Sequence, residues 1–436
     1  MEASNNYLAS SLNTSRIFNN RLLKEMTNIF NFFVCSTLFF LPLYEVPKNI
    51  SVVFVIIIGS WILHSSTRVI NLDIASRTFV GLALLSVLLL CMSGIFGPVP
   101  IFALKNSLDW LKIVGFGVSI ALVAARHPLP ISRYFMFLIL GVGVAIVEGI
   151  LRGSQTFPAL RSVGHINQTA QYLALAASAA IAVFISQSAS NRSMFAVGSL
   201  LLVIGSFVLL AQARTSVYAF FITGVFVVAL LLLAKSTRKS AYFLACVMAV
   251  TLLVNHQSTE KIYRKQHYHL QAGSADVTRP SLLRTALTVA AEAPWLGHGA
   301  DTYPIVVNPS SVQLIVEKSG ATFHMQEYAF SNHAHSLIGT WLVERGVVSL
   351  ILVYAGLLSA IIYGVFGLLK SQRVDPVVVT RAYFINLITV SSTLLLSSLG
   401  NTPLHHEHGL LAVGLLGLTF GSISRLKNAH SLSKRP

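Results

Sequence analysis

The chain has 436 residues, 54% of them hydrophobic and 11% charged, with a formal net charge of +16 and a mean hydropathy of +0.70. A water-soluble globular chain carries about 25% charged residues, so composition excludes that class and makes lipid the solvent. In that setting the positive charge reads as Lys and Arg of cytoplasmic loops facing anionic headgroups rather than as a nucleic-acid footprint. No basic run in a soluble segment is interleaved with aromatics.

Taken in chain order, apolar runs near 27–44, 50–64, 78–96, 107–125, 130–150, 169–187, 194–212, 216–234 and 241–254 predict nine membrane helices. The basic region before the first run is long and no small-residue cleavage site follows it, so that run reads as an uncleaved anchor. A long segment, about 255–335, comes next, and runs near 347–369, 378–398 and 409–424 predict three further spans. With both termini inside, the cytoplasmic segments collect Arg16, Arg21, Lys24, Arg68, Arg77, Arg126, Arg133, Arg192, Lys235, Arg238, Lys239, Lys370 and Arg373, and the tail adds Arg425, Lys427, Lys434 and Arg435. The expectation is an all-α polytopic membrane protein of about twelve transmembrane helices. Residues 1–254 hold nine of them, 255–335 form one large, mostly helical periplasmic loop, and 336–436 hold the last three and a cytoplasmic tail. Cys35, Cys91 and Cys246 all fall in apolar runs and show neither metal spacing nor a disulfide framework.

Several polar residues sit where such a chain has little reason to keep them. Arg161, in PALRSVGHINQTAQYLAL, lies on the outer side next to His165, and Asn167 can cap the helix that follows. The bland reading is a polar loop and a cap. Arg214, in LLAQARTSVYAFF, occupies a short outer turn, where the charge bias disfavours Arg. It is an interfacial anchor or an anion ligand. Within the long segment, TRPSLLRTALTVAAEAPWLGHG predicts a helix: Thr278 can cap it and Pro280 suits a first turn. Leu282, Leu283, Ala286, Leu287 and Ala290 form its apolar stripe, Pro294 ends it, and Gly297 and Gly299 make a tight turn. Arg284 lies in its early turns, and Arg264 and Lys265 precede it.

The segment also holds Trp295 and the histidines His256, His267, His269, His298, His324, His333 and His335. At SNHAHSLIGTWLVERG, Ser331 or Asn332 is expected to cap a helix with His333 and His335 in its first turn. The positive helix end there disfavours imidazolium and attracts phosphate, a setting for a neutral base beside a phosphate site. Two polar residues at an interface is the plain alternative. No zinc-protease spacing, no Asp-x-Asp for a metal bound to diphosphate, no phosphate-cradling glycine loop and no nucleophile elbow is present, so neither a required metal nor another cofactor is expected.

Taken together, the large outer loop before the last three spans, the Arg of the short outer turn, and the Arg-bearing helix leading to APWLGHGADTY resemble the O-antigen ligase and polymerase superfamily. Within it, His335, Ser336 and Gly346 follow the His-Ser-x9-Gly spacing of lipopolysaccharide O-antigen ligases, and VGHINQTAQYL is similar to the family's outer-loop pattern. Ser349 stands where that pattern often has a second glycine. The resemblance implies a fold related to the lipid-dependent (GT-C) membrane glycosyltransferases in a Gram-negative inner membrane, with both termini cytoplasmic and a periplasmic site. It implies inverting, metal-independent transfer of a glycan from undecaprenyl diphosphate to a sugar hydroxyl of lipid A–core. The related alternatives are an O-antigen polymerase or a protein O-oligosaccharyltransferase using the same donor; a lipid-glycan transporter is a more distant one. In that chemistry His335 is the candidate base, and Arg214 and Arg284 stabilise the leaving diphosphate. Arg161, Arg264, Lys265, Asn167, His333 and Trp295 are candidates for substrate binding.

Overall fold

The computed structural model describes residues 2–65, 71–152, 159–186, 191–271, 278–373, 378–404 and 406–433. Among these all regular structure is helical. The helices are α1 (Glu2–Phe40), α2 (Glu45–Ser65), α3 (Ile74–Phe96), α4 (Pro100–Arg126), α5 (Ile131–Leu151), α6 (Ile166–Ser186), α7 (Asn191–Leu210), α8 (Arg214–Leu232), α9 (Arg238–Val254), α10 (His256–Gln271), α11 (Thr278–Ala290), α12 (Tyr303–Val306), α13 (Pro309–Lys318), α14 (Leu337–Arg373), α15 (Val378–Ser397) and α16 (His406–Ser433). Each of the twelve apolar runs falls on one of these helices. Hydrocarbon offers no water to an unpaired N–H or C=O, so a spanning segment must satisfy its backbone within itself. Among the described residues, α2, α3, α4, α5, α8, α9, α14 and α16 are long and apolar enough, by length and composition, to cross a membrane. The chain is thus a polytopic membrane protein. The run at 50–64 looked short in sequence. It lies in a helix of 21 residues, whose first turn, residues 45–49, carries Glu45 and Lys48 and so stands outside the apolar run.

α6, α15 and α16 form the centre of the bundle, and their apolar residues are buried nearly all round. A helix apolar on every face belongs in such a position. Close approach is achieved with small residues. On α16, Gly417 and Gly421 lie against the backbone of Gly117 and Ala121 on α4, where a Cβ would collide. Hydrogen bonds tie the inner helices: Ser178 with Thr393 at 3.1 Å, Gln171 Nε2 donating to Ser397 at 3.0 Å, and Asn386 Nδ2 donating to Thr419 at 2.7 Å.

One end of the bundle gathers the described residues of 255–336 and several turns. There the Ser162 N–H donates to the Pro42 carbonyl at 3.3 Å and Leu337 N–H to the Ser398 carbonyl at 3.0 Å. At the opposite end Lys427 meets Asp73 and Ser424 meets Asn71. The segment carries α10 to α13 and a small core of its own, with Ala286, Val289, Tyr303, Val312, Val316 and Ala334 closing on Val343 of α14.

α14 is not continuous. Gly346 takes φ 70° and ψ 177°, which breaks the helix between its first turns and its long apolar stretch. The break would orphan backbone groups on both sides. The strip Pro294–Gly299 fills it. Val347 N–H donates to the Pro294 carbonyl at 2.8 Å and Val348 N–H to that of Trp295 at 3.4 Å. In return, His298 and Gly299 N–H donate to the carbonyls of Val343 and Glu344, both at 2.8 Å. Gly297, at φ 73°, and Gly346 face each other's strands so closely that a Cβ on either would strike backbone. The glycine that follows the His-Ser pair therefore has a physical reason: it is the only residue type that permits this splice.

Candidate active site

Three helix beginnings converge at the end of the bundle that holds the splice. The first is α8. Gln212 at φ 52° turns the chain sharply after α7, and Arg214 is the first residue of α8. The second is α11, which opens on Thr278, Arg279 and Pro280. Arg214 and Arg279 line one cavity of about 470 Å³, together with Thr215, Tyr218, Ile222, Pro280, Leu396, Leu399 and Gly400. A guanidinium at the positive end of a helix is held against the dipole, whereas an anion there is favoured by both. Two such ends on one cavity bring Arg214 and Arg279 to the same opening, an arrangement whose charge suits an anion.

The third beginning is α14. The structure corrects the expected cap. Ser331 and Asn332 do not start the helix. Ser336 does, its hydroxyl accepting from Gly339 N–H at 3.1 Å while its carbonyl accepts from Thr340 N–H at 3.1 Å. His333 and His335 therefore precede the helix rather than sit in its first turn. A tertiary contact fixes the start: the first helical N–H, of Leu337, is bonded to Ser398.

His335 adopts φ 52°, a left-handed conformation costly for a non-glycine residue. Its N–H donates to His333 Nδ1 at 3.3 Å, and the two rings lie 4.2 Å apart, nearly perpendicular. Burial, then the neighbouring His333, Arg279 and His165, push the His335 imidazole down from 6.5 to about 4. The ring is therefore neutral at pH 7 and able to accept a proton. The cause differs from the one read in sequence: burial first, then the neighbouring His333, Arg279 and His165, keep it neutral.

His165 belongs to the same neighbourhood. Its Nδ1 accepts from Asn167 N–H at 3.2 Å, and its carbonyl accepts from Thr169 N–H at 2.9 Å. His165 thus caps α6, and Asn167, expected to be the cap, is the second residue inside the helix.

The remaining candidates lie apart from the cavity. Arg284 pairs with Glu327 at 2.7 Å and is largely exposed. Five residues at 100° each put it about 140° around α11 from Arg279, so the two arginines face different ways. Arg161 lies over the Tyr44 ring at 4.9 Å and 3.4 Å from Glu148. Arg264 bonds Glu260 at 2.6 Å, one turn away on α10. The Lys265 side chain lies outside the described residues. Trp295 is 68% exposed and contributes its carbonyl to the splice.

Two features escaped the sequence reading. Arg279 was passed over because TRP reads as a cap and a first-turn proline. A buried ion pair joins Lys48 of α2 to Glu407 of α16, with the Ser162 hydroxyl donating to the same carboxylate at 3.1 Å. Lys48 and Glu407 are 359 positions apart in sequence, and only their places near the ends of apolar runs mark them.

In comparisons with known proteins, residues 197–354 match the sequence model of the O-Antigen ligase family. The matched stretch runs from α7 into α14 and takes in Arg214, Arg279, Arg284, His333, His335 and Gly346. No curated protein matches the chain. The family match supports the O-antigen ligase and polymerase superfamily, and with it a glycosyltransferase-like membrane enzyme.

Proposed function

We propose that the protein is a lipopolysaccharide O-antigen ligase of a Gram-negative inner membrane, with about twelve spans, both termini cytoplasmic and this site periplasmic. It transfers a glycan from undecaprenyl diphosphate to a sugar hydroxyl of lipid A–core. The observation that carries the reading is the convergence of Arg214 and Arg279 on one cavity beside a neutral His335. His335 removes the proton of the acceptor hydroxyl as its oxygen attacks the anomeric carbon. The bond from that carbon to the diphosphate oxygen breaks with inversion, and undecaprenyl diphosphate leaves with the electron pair. Arg214 and Arg279 bind the developing negative charge with charge-assisted hydrogen bonds. Arg284 would have to leave Glu327 to reach the same anion, so its first role is to hold α11 against the 325–327 turn. His333 positions His335 through the backbone bond and resists double protonation of the pair. Both substrates are lipid-anchored, which confines them to one leaflet and presets their height at the site.

The test is a transfer assay with purified protein, lipid-diphosphate glycan and, in separate reactions, lipid A–core, free glycan and a Ser/Thr-containing protein. Ladder-shifted lipopolysaccharide, absent with His335→Ala, is expected. Transfer to free glycan or to protein in place of lipid A–core would overturn the ligase assignment, and full activity of His335→Ala would remove the base.

A further inference from the structure

A second cavity, of about 740 Å³, opens between α3, α4, α14 and α16, all of them helices able to cross a membrane. Its walls are apolar, with Leu82 on α3, Val114 on α4, Leu352 and Gly356 on α14, and Leu416 and Phe420 on α16. Between Ser86 and Asp73 it follows α3 for about 20 Å, which exceeds one leaflet of a hydrocarbon core about 30 Å thick. It ends at the side of the bundle opposite His335, and there its character changes. Arg77 and Lys427, both exposed, flank the mouth with a single carboxylate, Asp73. Lys427 Nζ donates to Asp73 at 2.8 Å and Tyr363 Oη donates to Asp73 at 2.7 Å. Two cations over one carboxylate leave the mouth net positive.

We infer that this groove is a binding site for an anionic phospholipid, with one acyl chain lying along α3 and α14 and its phosphate between Arg77 and Lys427. A long apolar groove with a cationic end matches the amphipathic shape and charge of such a lipid. A polyprenyl diphosphate seated at the His335 end would carry its charge at the wrong end of this groove. The inference does not rest on the transferase reading.

Native mass spectrometry of the protein released from nanodiscs of equal phosphatidylglycerol and phosphatidylethanolamine tests it. The wild type is expected to retain phosphatidylglycerol over phosphatidylethanolamine by at least about fivefold, the factor for one basic residue near a membrane surface. Arg77→Gln, at an exposed position, reduces that preference by about fivefold. Gly356→Leu, whose Cβ meets only Leu82 at an ordinary contact distance and whose remaining atoms extend from a groove-lining position, removes retention of both lipids. Absence of a headgroup preference in the wild type, unchanged retention in both variants, or a polyprenyl phosphate as the retained species would overturn the proposal.

Discussion

Titration of His335 gives the sharpest prediction. An isolated imidazole titrates at 6.5, whereas burial and the neighbouring His333, Arg279 and His165 bring this one to about 4. At pH 5.5 the ordinary imidazole is about 10% neutral and the depressed one about 97% neutral. If His335 is the base, kcat/KM for the donor should therefore be nearly flat from pH 7 to about 5. An unperturbed histidine would lose about tenfold by pH 5.5. The acid limb of kcat should lie higher than that of kcat/KM, because bound diphosphate offsets the Arg279 charge among the groups that depress the ring. Arg279→Gln removes one of those groups and should move the kcat/KM limb upward. The same shift bears on stability, and its sign is fixed: between about 6.5 and 4 the unfolded chain binds a proton that the folded chain refuses. Stability from this group is present above 6.5 and is lost as pH falls toward 4, so activity must be remeasured after return to pH 7 to separate titration from unfolding. A wild-type kcat/KM limb near 6.5, or a limb that Arg279→Gln leaves in place, would refute the reasoning.

The other predictions concern single side chains. Arg279→Ala should raise the donor KM by roughly 10- to 100-fold, the loss of about 1.5–3 kcal/mol for a hydrogen bond to a charged group. Arg284→Ala should cost less, because its exposed pair with Glu327 is worth about 1 kcal/mol or less; equal losses in parallel donor titrations would return the diphosphate role to Arg284. Gly346→Ala adds a penalty of about 1–3 kcal/mol, for a positive-φ extended backbone essentially confined to glycine, to a steric collision with Trp295, and should lower the melting temperature and open the 278–336 segment to protease. Lys48→Met should destabilise by about 3–5 kcal/mol by leaving Glu407 charged and buried, while Lys48→Met with Glu407→Leu should come close to wild type. Denaturation in detergent as a double-mutant cycle measures that coupling, and additive losses would show that the pair does not interact.

The membrane helices were legible because hydropathy is a one-dimensional property: each apolar run had to become a helix, whatever surrounded it. Helix starts were less legible. Asn167 and Asn332 are good caps by type, yet His165 and Ser336 hold those positions because the preceding backbone arrives in a left-handed turn at Gly164 and at His335. Arg214 and His335 stood out in sequence as polar residues with no local reason to be there. Arg279 did not, since its value lies in facing the Arg214 cavity, and only the direction of α11 decides that Arg279 does so rather than Arg284. The link between Lys48 and Glu407 is a contact between the second and last helices and has no signature along the chain.

The strip threaded through the broken helix sets the unit in which this protein can be recombined. A chimera drawn at 255–335, the limits that hydropathy offers, would import Pro294–Gly299 but keep a foreign Val343–Val348 to receive it. Four backbone hydrogen bonds and two interlocked glycines cross that cut. A piece drawn from Thr278 through Val348 keeps loop and receiving helix together, and leaves Leu337–Ser398 and Ser93–Glu344 as the bonds a host must match. Exchange between relatives is then confined to seams that leave this joint whole.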